Sequence, residues 1–226
     1  MHRQWRRTMP IATSTSLDVR GKTTTTSIAY EAARRLAELP DGTVLDVLTD
    51  ASEAIDNDIR TWCRVTGREL VNAEDSEDSY HYALRAQPAR RSDKVLAAVI
   101  SNPGLEELLS PLGFTLAAAL ENADVSLYFQ GPAVRVLARG FREKLPGLNR
   151  PFSRFARAGL AEAGHVPAQA KIGQLQTLGA HLYACGPSMA HFHVAKTDLV
   201  FDGVTIAEYL TFMEVMSRAD IHLFIQ

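Results

Sequence analysis

Apolar residues recur every three or four positions in some stretches of this chain and crowd into short runs in others, and that alternation sets the expected elements. The first half reads strand (16–19), helix (25–39), strand (43–48), helix (52–66) and two short strands (69–73 and 80–84). Ile28, Ala32, Leu36 and Leu39 share one face of the first helix, and Ile55, Ile59, Trp62 and Cys63 share one face of the second, so both helices can cover one side of a sheet. A polar stretch with a proline and no period, 86–93, then interrupts the pattern. Beyond it come a strand (94–101), a helix (105–121), a strand (125–129), a long irregular segment, a helix (168–178), a strand (181–184), a helix (205–217) and a strand (221–225).

This order predicts two domains: an α+β two-layer unit over 14–85, a linker over 86–93, and a doubly wound, mostly parallel α/β sheet over 94–226. Within the helix expected at 205–217, Met213 and Met216, with Ile206, Tyr209, Leu210 and Phe212, are spaced as a buried stripe.

Composition narrows the function. The chain has 226 residues, 24 Lys plus Arg against 26 Asp plus Glu, and a net charge of −2, which gives no whole-chain reason to bind nucleic acid. No apolar run reaches the ~18 residues of a membrane span. The first ten residues are basic but no apolar segment follows them, so a cytoplasmic protein with a basic leader is expected. Charge is nonetheless uneven: seven bases (Arg135, Arg139, Arg142, Lys144, Arg150, Arg154, Arg157) stand against Glu143 alone. Such a segment is either a solvated face or a docking surface for an acidic partner, the chain's own N-terminal domain included.

Three motifs bear on chemistry. Gly21-Lys22-Thr23-Thr24 imitates the end of a phosphate-binding loop, but Ser16 stands where that loop needs glycine, so the hydroxyls of Thr23 to Ser27 are expected to cap a helix instead. Cys185 follows a strand and precedes Gly186-Pro187-Ser188, which places the thiol at the carboxyl end of a sheet strand and at a helix start. Free amides there favour thiolate, the nucleophilic form; the competing reading is a packed cysteine acting as a small hydrophobe. Cys63, in register with Ile55, Ile59 and Trp62, reads as core.

His181 and His193 are candidates to tune the Cys185 thiol. A metal set of His181, Cys185, His191 and His193 has poor spacing, and no metal or other cofactor is expected. Lys196 and Asp198 could form a lip over the thiol.

Leu17-Asp18-Val19-Arg20-Gly21, together with the segment from Asp58 to Val71, resembles the TusA (SirA-like) family of small sulfur carriers. In that family a Cys-Pro-x-Pro motif opens the first helix and carries sulfur as a persulfide. Here those positions read Thr24, Thr25, Thr26 and Ser27, so the resemblance implies a carrier fold without its cysteine. Leu182-Tyr183-Ala184-Cys185-Gly186-Pro187-Ser188-Met189, with the ending Asp220 to Ile225, looks like the DsrE/DsrF-like family. That likeness implies sulfur handling by Cys185, sulfur donor and acceptor proteins as partners, and a homo-oligomer, a trimer or a hexamer. From the charge balance and the apolar run lengths, no nucleic acid or membrane partner is expected. Relatives with a Cys-x-Met-Ser-Met-Asp pattern carry an acid where this chain has Ala190.

Overall fold

A computed structural model describes residues 15–76 and 78–225. The basic leader expected at the N-terminus lies outside the described residues.

The first unit holds β1 (Thr15–Asp18), α1 (Thr25–Glu38), β2 (Val44–Asp50), α2 (Glu53–Thr66), β3 (Leu70–Asp75) and β4 (Ser79–Arg85). Its sheet runs β1-β2-β4-β3, with β1 parallel to β2 and the remaining pairs antiparallel. Alternation in β2 and β4 turns Leu45, Val47, Tyr82 and Leu84 inward, where they meet Ile28, Ala32 and Leu36 of α1 and Ile55, Ile59, Trp62 and Cys63 of α2. The result is the expected two-layer α+β sandwich.

The second unit holds β5 (Val95–Ile100), α3 (Leu105–Leu120), β6 (Asp124–Phe129), α4 (Ser153–Glu162), α5 (Ala168–Thr177), β7 (His181–Cys185), α6 (Gly186–His191), β8 (Thr205–Ala207), α7 (Tyr209–Ser217) and β9 (Ile221–Ile225). All five strands are parallel, in the order β8-β7-β6-β5-β9. Leu96, Ala98, Leu127, Phe129, Leu182 and Ala184 alternate onto one face and pack with α3 and α5; Tyr128, Tyr183 and Cys185 point to the other, where α7 lies. Helices on both faces make this a doubly wound α/β sheet.

Two sequence expectations fail here. The segment 131–162 is not irregular: it forms 3-10 turns at Gly131–Leu137 and Gly147–Phe152 and then α4. Its three glycines and three prolines between 131 and 151 mask the helical period. The helix expected at 205–217 is instead a strand, β8, followed by α7, because Thr205 and Ile206 take an edge position beside β7. Its apolar stripe is mostly outside: Phe212 is buried, but Tyr209, Leu210 and Met213 are exposed, Leu210 at 88%.

The two units are packed together. Trp62 Nε1 donates to Leu120 O at 3.0 Å from the end of α2 to the end of α3, and Thr23 Oγ1 donates to Ala163 O. The stretch between the sheets is pinned as well, Arg90 N donating to Thr66 O at 2.8 Å and Asn122 Nδ2 to Arg90 O at 2.9 Å.

Candidate functional site

Parallel sheets place their reactive groups at the carboxyl ends of the strands, where loops gather. Cys185 is the last residue of β7 and the N-cap of α6, with Pro187 in the first turn of that six-residue helix. Its strand partner is Ala207 of β8. Ser188 Oγ accepts the Gly131 N–H at 2.8 Å, tying α6 to the loop after β6. Gly186 lies against Ile206, where an added Cβ would sit 3.4 Å from Cγ2.

The Cys185 thiol is not open to solvent: the residue is 1% exposed. Its surroundings are not purely apolar, however. Tyr128, also 1% exposed, brings its hydroxyl beside the thiol, and that hydroxyl has no well-formed hydrogen-bond partner. Burial, first, and then the facing Cys185 sulfur push the Tyr128 phenol well above its ordinary range, so it stays protonated and can only donate to an ionised sulfur. Exposed Glu208 and Tyr209, at the turn from β8 into α7, push it the same way and so lie near the same spot. Phe212 of α7 stacks on Tyr128 at 4.7 Å and meets Tyr183 edge-on at 5.3 Å. Cys185 thus lies buried beside Tyr128, next to β8 in the sheet.

The other residues singled out in the sequence do not join it. His181 is at the opposite end of β7, about 13 Å away at the ~3.3 Å rise of a parallel strand, and faces Asp124 at 3.6 Å. His193 is exposed beyond the end of α6, with φ at 54°. Neither can tune the thiol. Lys196 and Asp198 form an exposed turn whose Asp198 O accepts the Arg139 N–H, so they make no lip over Cys185. Among the described residues no group of three or more His, Cys, Asp or Glu converges as a metal site.

Cys63 is buried in the first unit, and burial pushes its thiol up to about 11, against the pull of Arg68 and Arg60. At neutral pH it is an inert core thiol. The start of α1, where the TusA-like pattern would hold its carrier cysteine, is half-buried beside the second unit. Thr25, Thr26 and Ala29 line a narrow crevice with Trp62, Ala117 and Leu120. The expected side-chain cap is absent there: Thr24 Oγ1 donates to Ser27 Oγ at 2.8 Å rather than serving a helix amide.

The basic segment does not bind the N-terminal unit. None of its seven cations has a carboxylate within ion-pair distance among the described residues. Arg135 lies over the Phe192 ring, Arg157 donates to Glu143 O, and most of the rest face an open groove. Two features of importance had weak sequence signals: Tyr128, which reads only as an apolar strand residue, and Lys171, a buried cation on α5.

Comparison with known proteins gives two family matches. Residues 93–224 match the DsrE/DsrF-like family and residues 16–86 match Sulfurtransferase TusA. Among solved structures, the ychN protein from E. coli is similar to this chain at 19% identity, covering 59% of this chain and 100% of its own, with a TM-score of 0.44. No curated protein matches the chain.

Proposed function

From a chain that belongs to the DsrE/DsrF-like family and carries a TusA domain ahead of it, both of them sulfur-relay families, we propose a sulfur carrier in which Cys185 is the sulfur-holding residue. The observation that carries this reading is the pairing of Cys185, at the carboxyl end of β7, with the unpartnered hydroxyl of Tyr128. A buried hydroxyl without a partner costs roughly 1–3 kcal/mol, and a site that must bind a sulfur anion gives that hydroxyl a partner when it is loaded.

The step is a thiol exchange. The Cys185 thiolate attacks the outer sulfur of a donor persulfide, the donor S–S bond breaks, the donor leaves as a thiolate, and Cys185 holds the persulfide. An acceptor thiolate then reverses the step. No net oxidation occurs and no metal takes part. Tyr128 positions the charged sulfur by donating to it. Access requires the β8–α7 turn to swing away, so a partner protein that engages Glu208 and Tyr209 would open the site. The TusA-like domain, with threonine at the carrier place and that face half-buried against the second unit, serves as a docking or bracing unit.

The finer expectations belong to the same reading. The exposed side chains of Tyr209, Leu210 and Met213 support a homo-oligomer. No described helix is long and apolar enough to cross a membrane, and two unpaired cysteines suit the reducing cytoplasm.

A second reading is favoured by the 1% exposure of Cys185: an interaction module in which that cysteine only packs. Intact mass after treatment with a persulfide donor, for the wild type, Cys185→Ser and Cys63→Ser, separates the two. Gain of one sulfur by the wild type and Cys63→Ser but not by Cys185→Ser supports the carrier. No gain, with Cys185 as resistant to alkylation as Cys63, leaves the interaction module.

A further inference from the structure

Away from Cys185, on the opposite face of the second sheet, α3, α4 and α5 line a half-open cavity of about 60 Å³. Its walls are apolar, with Leu108, Leu109 and Leu112 from α3, Leu160 from α4, and Val166. Into it projects Lys171 of α5, only 4% exposed. Its ammonium can donate three hydrogen bonds, yet it makes one long one, to Leu109 O at 3.4 Å, and no carboxylate lies within ion-pair distance.

The other charged groups of the lining are already engaged. Glu143, 6% exposed, accepts the Ala168 N–H through Oε1 at 2.5 Å, at the start of α5, and Arg157 Nη1 donates to the Glu143 backbone oxygen at 2.5 Å. His165 Nδ1 is buried without a partner and lies near enough to Lys171 that the ammonium, after burial, lowers its proton affinity. Burial likewise lowers that of Lys171. An interior cation without a counterion is unfavourable unless something supplies the charge, and an apolar cavity with a few convergent polar groups is the usual form of a small-molecule site.

We propose that this cavity binds a short-chain alkyl monocarboxylate, its carboxylate held by Lys171 Nζ and its hydrocarbon tail by the leucines of α3 and α4. The charge requirement follows from the unpaired ammonium. The single negative charge follows from Glu143, which would repel a second. The short tail follows from the small volume of about 60 Å³. Exposed Ala161 and Pro167 form the rim through which a ligand enters.

The test uses the full chain and butyrate, followed by calorimetry and by the carbon resonance of labelled carboxyl. Saturable one-to-one binding with Kd below about 1 mM, with no binding of butylamine, is expected. Lys171→Met keeps the volume and removes the charge, and should weaken butyrate at least about tenfold. Ala161→Trp, at the exposed rim, leaves Lys171 in place and should weaken it as well, so the proposal stays testable if the first variant does not fold. Failure of the wild type to saturate by about 20 mM butyrate, or equal affinity in folded Lys171→Met, overturns the site.

Discussion

Replacing Gly164 by alanine probes the seam between the two units. Gly164 has φ at +76°, and a Cβ built there would lie 2.9 Å from Thr23 N, 3.1 Å from Lys22 Cα and 3.2 Å from Gly21 O. All three are backbone atoms of the loop entering α1, which cannot rotate out of the way. The left-handed backbone alone costs an alanine about 1–2 kcal/mol, and an overpacked contact adds about 1–3 kcal/mol. Gly140 is the matched control, because its φ is +77° and nothing lies within 4 Å of an added Cβ. Gly140→Ala should therefore show only the backbone part. Urea unfolding of both variants, read by circular dichroism, gives the difference, which is expected to be about 1–3 kcal/mol in the direction of a weaker Gly164→Ala. Limited proteolysis between 86 and 93 should also speed up in Gly164→Ala alone. Equal losses in the two variants would refute the close docking of the Gly21–Thr23 loop against the end of α4.

Three further outcomes follow from the geometry. Cys63→Ser, which puts a hydroxyl into the core of the first unit, should cost about 1–3 kcal/mol in urea unfolding, and wild-type Cys63 should react with iodoacetamide only on unfolding. Tyr128→Phe removes an unpartnered buried hydroxyl, so thermal melting should show unchanged or slightly raised stability, by up to about 1 kcal/mol, while mass spectrometry shows a shorter-lived persulfide on Cys185. For Lys171 the folded pKa lies below the unfolded value of 10.5, so between the two the unfolded chain binds more protons and stability rises with pH. The contribution is fully present above 10.5 and is lost as pH falls through the folded pKa. The stability difference between wild type and Lys171→Met should shrink across that window, and a constant difference would show the ammonium to be hydrated.

Both sheets were legible from periodicity because their strands carry the burial. In the second sheet β5 is an unbroken apolar run from Val95 to Ile100, and β6 carries Val125, Leu127, Tyr128 and Phe129, short runs bounded by polar or turn residues. The failures share a cause, which is that local pattern does not report what covers a residue. Leu210 and Met213 repeat like a core stripe, but α7 is a thin layer whose only fully buried side chain is Phe212. His181 stands four residues before Cys185 in sequence, and an extended strand turns that nearness into the full length of β7. The placement of Cys185 followed from strand, glycine and proline; its burial did not, since its strand partner Ala207 stands 22 positions later. Lys171 was readable in part, because Ala168, Lys171, Ile172 and Leu175 fall on one helical face and only one of them is charged.

The half-buried start of α1 has a consequence for how the first unit can change over time. A free-standing carrier keeps its helix tip bare because a shuttle must reach into other proteins. Here the tip is mortar between two bricks, and restoring a cysteine at half-buried Thr24 alone would give a visitor only part of the approach that a bare tip offers. Recovery of the shuttle would need the Gly164 contact and the Trp62 to Leu120 bond to be given up together, so the joint itself holds the lost chemistry in place.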